Sequence, residues 1–459
     1  MGVARGLHWG VIITRARLIL MLAAVAFVVS ALGLWGRMPG DQGEGRVVVT
    51  YWEKWTGFEG DAMRATVDAF NASQDRIFVK LLTVSQVDRK VLLATAGNDP
   101  PDVAGLWSAQ TDVYSDKGAL LPLDDFCAEA GIGASNYIPV YWGLVRHRGH
   151  TWGLPSTPAS TALHWNKRLF REAGLDPDRP PRTMDDLAEY SERLTKRDEN
   201  GNIKQIGFLP AEPGWWNWGW GYFFGGRLFD GKDQITCASP ENIRAFEWVQ
   251  SYARKYGVQS LQTFQSGFGN FSSPHNPFIS GTVAMEIQGV WMHNFISMLA
   301  PDLEWGAAPF PYPSDRPDLA NTTIVDEDIL CIPTTAKHPR EAFEFIRFVN
   351  SRPGMELLCM GQRKQTPLRE VSPEFLAEHP NPYIELFIDL AKSPNAQVGP
   401  RIGLWQEYQA ELGAAFDDVW LMRKSPEEAL TAVQDRMQAK LDREIEQWAR
   451  RGKQYVAED

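Results

Sequence analysis

The sequence is poor in the features that carry most protein chemistry. Its 459 residues include four cysteines, Cys127, Cys237, Cys331 and Cys359, widely spaced, with no CxxC pair and no Cys/His cluster. That spacing argues against a structural zinc or other metal site and leaves buried free thiols as the simplest reading. There is no HExxH, no glycine-rich phosphate loop and no GxSxG, so the chemistries those motifs serve are not indicated, and no cofactor is expected. No pair of carboxylates emerges from a recognised catalytic segment, and no eightfold strand–helix repeat is visible. Both absences weaken the main enzymatic alternative, a secreted or tethered glycoside hydrolase. Positive charge is also scarce: residues 46–459 carry 42 basic and 55 acidic side chains, a net of −13. So acidic a body is a poor nucleic-acid binder, because it lacks the basic face that displaces counterions.

What the chain does have begins with an apolar run. Arg5, Arg15 and Arg17 precede Leu18 to Trp35, which hold no charge. A positive flank before an apolar segment is an export signal, read either as a cleaved signal peptide or as one retained hydrophobic helix. The arginines stay on the cytoplasmic side, placing the rest on the periplasmic or outer face of the membrane. Residues 1–45, signal or anchor plus a flexible linker, therefore stand apart from the body.

The body is rich in tryptophan, with 18 in the whole chain. Arg46 to Trp52 is a continuous β-branched run, the pattern of a strand covered on both faces. A helix near Asp61 to Ala72 and a strand at Ile77 to Leu82 complete a βαβ unit. Asp102 to Leu106 reads as a third strand ending at Trp107, and Val283 to Ile287 as another, with Trp291 in the first turn that follows Gly289. In an open α/β sheet these strand ends face the ligand crevice. One such indole is most simply a core wedge; several at equivalent positions point to ligand platforms.

Gly214 to Gly226 (GWWNWGWGYFFGG) reads as an aromatic loop, with Trp215, Trp216 and Trp218 as candidates for the ligand side. Asp124 and Asp125 sit where helix-start carboxylates favour the helix dipole. His147 and His150 read as solvated residues of a hairpin, and Asp198 to Asn202 as a tight polar turn. Thr183 with Asp186, Ser239 and Ser425 with Glu428 mark helix starts.

Taken in order, FISGTVAMEIQGVW (Phe278 to Trp291), Pro101-Asp102-Val103, GALLPLDDF, Gly153-Leu154-Pro155, HWNKRLFREAG, PRTMDDL, GGRLFD and AFEFIRFVNS resemble the extracellular solute-binding family of sugar-type ABC importers, the group that includes maltose-binding protein. The resemblance implies an α/β fold of the two-lobed periplasmic-binding-protein kind (type II, Venus-flytrap), with a hinge and an interlobe cleft, preceded by one N-terminal hydrophobic helix. Lobe one would hold 46–157 and 307–355, and lobe two 158–306 and 356–459. The implied function is non-enzymatic capture of a sugar or oligosaccharide and delivery to ABC permease subunits, by a monomer. A carbohydrate-binding module of a sensor system is the non-transport alternative.

The same resemblance places sugar-stacking rings at Trp107, Trp291, Trp405 and within Trp215 to Trp218. It puts polar contacts at Glu53 and Trp55 in the loop after the first strand. Asp326 and Glu327, in a connecting loop entering a strand at Ile329, and Arg369 are further polar candidates, each with a surface role as the alternative. Pro158 to Thr161 offers no acidic residue where maltose binders have one, which argues against maltose itself.

Overall fold

The computed structural model describes residue 43 and residues 45–450; the expected N-terminal helix lies outside them. Among the described residues no helix is long and apolar enough to cross a membrane. Residues 43, 45–48 and 75–78 form a small unit, in which the Val47 amide donates to the Arg76 carbonyl at 2.8 Å. The remainder forms the body.

Among the described residues there are twelve strands: β1 (Val47–Glu53), β2 (Ile77–Thr83), β3 (Val103–Trp107), β4 (Arg146–His147), β5 (His150–Thr151), β6 (Leu154–Asn166), β7 (Lys196–Arg197), β8 (Ile203–Phe208), β9 (Val283–Gly289), β10 (Trp305–Ala308), β11 (Thr323–Cys331) and β12 (Ala396–Gln397). Ten form one mixed sheet in the order β2-β1-β3-β11-β6-β9-β8-β7, with β10 on β6 and β12 on β11; β4 and β5 form the separate hairpin. β1 runs parallel to β3, and β8 parallel to β9. β9 is buried along its whole length, whereas β1 alternates, with Val49, Tyr51 and Glu53 buried and Val48 exposed, so it is not the strand covered on both faces that its β-branched run suggested.

The two longest strands organise the rest. β6 is buried along all thirteen residues. It pairs with β11 through its first half (Leu330↔Leu154 to Val325↔Ser160) and with β9 through its second (Thr161↔Gly289 to Trp165↔Met285). β11 in turn pairs with β3, Asp328 opposite Trp107. The β6–β11 ribbon thus links the β1–β3 group of strands to the β8–β9 group.

β11 departs from expectation. The strand begins at Thr323, so Asp326 and Glu327 lie within it and not in a connecting loop. Acidic residues are disfavoured in strands, which hid it; the β-branched Thr322-Thr323-Ile324-Val325 run starts it, and buried donors accommodate two of its carboxylates. The Gly214 to Gly226 segment is also more regular than expected, with a 3₁₀ helix over Asn217–Phe224. Its rings are mostly core: Trp220 packs against Phe208, Trp248 and Phe310 at centroid separations of 6.2, 5.1 and 5.6 Å. Burial of that ring surface overrides the weak helical propensity of glycine and aromatics.

The helix starts follow the sequence. Thr183 and Asp186 form a reciprocal capping box, Ser239 caps Pro240–Tyr256, and the Glu428 amide donates to Ser425 Oγ at 3.2 Å. Asp124 and Asp125 fall in the first turn of Asp124–Ala130. Asp198 accepts from the Asn200 and Asn202 amides in its turn. All four cysteines are buried and free. The hairpin reading needs one correction. His150 is exposed, but His147 is buried, with Nε2 3.0 Å from Asp116 and Nδ1 3.4 Å from Asp112. Two carboxylates that draw the ring inward were invisible in the local pattern.

Candidate ligand-binding site

A cavity of about 830 Å³ opens beside β11, where the strand ends of both groups meet. Trp55, Trp107, Trp215, Trp216, Trp218, Trp291, Trp405, Asp326 and Glu327 all line it. Two of the expected residues do not. Glu53 lies beneath the wall, 2 % exposed, accepting from the Tyr51 hydroxyl and from the Lys54 amide at 2.7 Å. It fits because position 105 is glycine: a Cβ there would stand 2.2 Å from Glu53 Oε2. Arg369 is exposed, outside the cavity wall, with its amide donating to the Asn136 carbonyl at 2.9 Å.

One side of the cavity is set by polar bonds. Trp55 Nε1 donates to Asp328 Oδ2 at 2.6 Å, and Thr157 Oγ1 donates to the same oxygen at 2.7 Å. Asp328 Oδ1 is 3.2 Å from the buried Lys54 ammonium. That ammonium sits 5.1 Å from the Trp55 ring and 5.0 Å from the Trp107 ring, close enough for cation–π attraction. Burial works against the Lys54 charge, but the Asp328 and Glu53 carboxylates outweigh it and hold its pKa above the ordinary lysine value. The Trp107 amide donates to Gln110 Oε1 at 3.1 Å. Ser108 Oγ donates to Asp326 Oδ1 at 2.7 Å, and the Glu327 amide donates to the same oxygen at 2.8 Å. Burial raises the Asp326 carboxyl to about 6, with the Ser108 bond opposing. Burial, then Asp326 and Asp328, raise Glu327 well above the usual carboxylate range.

The other side is ring on ring. Trp291 precedes the helix Met292–Leu299 and contacts Trp215 at 5.9 Å and Trp216 at 6.1 Å between centroids. Gly289 permits this, since a Cβ there would meet the Trp291 ring at 2.3 Å. Trp215 packs on Phe271 (4.6 Å), Phe271 on Phe295 (4.4 Å), and Trp218 edge-on to Trp405 (4.9 Å). The indole N–H groups of Trp216 and Trp218 are buried without a hydrogen-bond partner.

Several lining residues escaped the sequence reading. Lys364 pairs with Glu59 at 2.5 Å and lies 5.1 Å from the Trp55 ring. Arg401 pairs with Asp112 and donates to the Gly143 carbonyl at 2.5 Å. Asp328, Gln110, Phe271 and Phe295 also line the cavity. Asp328 follows Asp326 and Glu327 directly, and a bulge between Glu327 and Ile329 lets all three successive acids line the cavity. Arg401 stands four residues before Trp405, ahead of the helix that Trp405 opens. Nothing local marks Lys364 or Phe271.

The family sequence model described as bacterial extracellular solute-binding protein matches residues 59–356. The chain belongs to this family, whose members capture solutes outside the cytoplasm and work with ABC permeases; it is a binding protein and not an enzyme. Among individual relatives, it is similar to the sn-glycerol-3-phosphate-binding periplasmic protein UgpB of Pectobacterium atrosepticum, 23% identical over 423 residues, 86% of this chain and 91% of that one. Among solved structures, it is similar to CpMnBP1 with mannobiose bound, at 27% identity and a TM-score of 0.75, covering 85% of this chain and 99% of that one. The sugar-binding protein MalE of Xanthomonas citri matches at 18% identity and a TM-score of 0.71, covering 87% and 98%. The fold is accordingly the two-lobed α/β architecture of periplasmic binding proteins.

Proposed function

We propose that the cavity binds an oligosaccharide, taken up by an exported, monomeric protein and delivered to an ABC importer. The observation that carries the reading is the convergence of seven indoles on one cavity that also holds carboxylates and side-chain amides. A sugar ring presents an apolar C–H face and a rim of hydroxyls, so flat rings bury the first while Asp326, Glu327 and Gln110 bond the second. Base–ring stacking gives the scale, about 1–3 kcal/mol per ring, so three or four engaged rings with polar help support micromolar binding. The mannobiose- and mannotriose-bound neighbours, at 27% and 28% identity, support a saccharide ligand.

In this reading 46–157 with 307–355 and 158–306 with 356–459 are the lobes, the β6–β11 ribbon carries the hinge, and ligand shifts the population toward closure. The acidic body suits a partner other than nucleic acid, and residues 1–45 serve export, with or without a retained tether. The test is a Trp-fluorescence and calorimetric screen of manno-, malto- and cello-oligosaccharides. Saturable binding without turnover is expected; hydrolysis of the sugar, or no response to any saccharide, refutes it.

A further inference from the structure

We propose that the site selects against negatively charged solutes, and that Asp326 is the residue that enforces the selection. The inference rests on the saccharide reading and narrows it to sugars without phosphate or carboxylate groups.

The cavity's charges argue for it. Each cation in the wall already faces a carboxylate: Lys364 lies against Glu59 and Arg401 against Asp112, all four largely buried. Lys54, just behind, is held by Asp328 and Glu53. No such partner stands at Asp326 or Glu327, which make no ion pair among the described residues. Both Glu327 oxygens are buried without a hydrogen bond. Asp326 Oδ1 is fixed by Ser108 and the Glu327 amide, which leaves Oδ2 for a donor brought by the solute. The helix starting at Gln110 brings amide dipoles toward the cavity, but its first turn carries the acid Asp112. A phosphate would therefore meet the Asp326 carboxylate, of like charge, in a partly desolvated space, and would have to break an existing ion pair to gain a cation. Hydroxyl or ammonium groups meet acceptors. This sets the chain apart from the relatives named for sn-glycerol 3-phosphate, with which it shares 23% identity.

The experiment titrates the protein, by Trp fluorescence, with mannobiose, maltose, an amino-sugar disaccharide, a phosphorylated disaccharide, glycerol 3-phosphate and inorganic phosphate. Binding of a neutral or amine-bearing saccharide is expected to exceed that of any phosphate-bearing solute by at least about 100-fold. Asp326→Asn, nearly equal in size, is expected to narrow that gap about tenfold; Asp326→Ser, which removes the same charge, serves in its place should the first variant fail to fold. A phosphate-bearing solute that binds the wild type as tightly as the best saccharide overturns the inference while leaving a solute-binding protein. Should no saccharide bind, the proposed function fails, and the phosphate arm alone decides the charge selection. Phosphate binding gained by the variant then upholds it, and an identical response from both proteins overturns it.

Discussion

The two sides of the cavity hold tryptophan in opposite ways. Trp55 and Trp107 pack edge-on at 6.5 Å but rest mainly on polar contacts: Asp328 takes the Trp55 N–H, Gln110 takes the Trp107 backbone amide, and Lys54 lies near both rings. Trp215, Trp216, Trp218, Trp291 and Trp405 are placed by ring contacts with one another, and two of their N–H groups have no hydrogen-bond partner among the described residues. The first arrangement fixes a ring's orientation at a few atoms. The second spreads the constraint over many weak contacts, so that loss of one leaves the others standing. The polar side should therefore be sensitive to the loss of a single group, and the packed side tolerant of exchanges that keep ring volume.

The largest effect should come from Asp328→Ala. It strands the buried Lys54 beside Glu53 alone and frees both Trp55 Nε1 and Thr157 Oγ1. Breaking a buried pair typically costs about 3–5 kcal/mol, which urea unfolding would register; a loss below about 1 kcal/mol would remove the contrast between the sides. Next, Trp107→Ala should weaken saccharide affinity by about 1–3 kcal/mol, or roughly fivefold to more than a hundredfold, on the stacking scale. Calorimetry and a melting curve together separate this from unfolding. Trp216→Phe, on the packed side, keeps a ring and removes an N–H that bonds nothing, so it should cost less than about 1.5 kcal/mol in either stability or affinity. An equal loss from Trp216→Phe and Trp107→Phe would show that the two sides do not differ.

The smallest effect is a pH dependence at Asp326. Its carboxyl is raised by burial from 3.8 to about 6 in the folded protein, so the folded state binds the proton more tightly than the unfolded one. Its contribution to stability is then greatest at low pH and declines as pH rises through about 6. Measured against Asp326→Asn, the wild type should gain stability as the pH falls from about 7.5 to about 5. A difference that is flat, or that grows with rising pH, would contradict the assignment.

Much of this was legible beforehand. A continuous β-branched run gave β1, a short apolar run gave β9, and the Thr183 and Ser425 patterns gave helix starts, because those signals are local. The tryptophans after strands pointed to the crevice, since alternation and strand direction determine where a strand end faces. The Asp326-Glu327-Asp328 run was harder. Three successive acids look like a solvated loop until β3 and β6 are known to flank them, and only then do Ser108, Trp55 and Thr157 become their donors.

The chain's own order of residues thus determined the class of fold, the acidity of the body and the supply of indoles. Tertiary structure alone decided which indoles stand open to a solute and which fill the core, and it alone brought Lys364 to Glu59 and Arg401 to Asp112. Those two pairs span 305 and 289 positions of sequence. The reason is physical: propensity and periodicity act over a few neighbours, whereas burial and charge pairing depend on which distant surfaces the folded chain brings within a few ångströms.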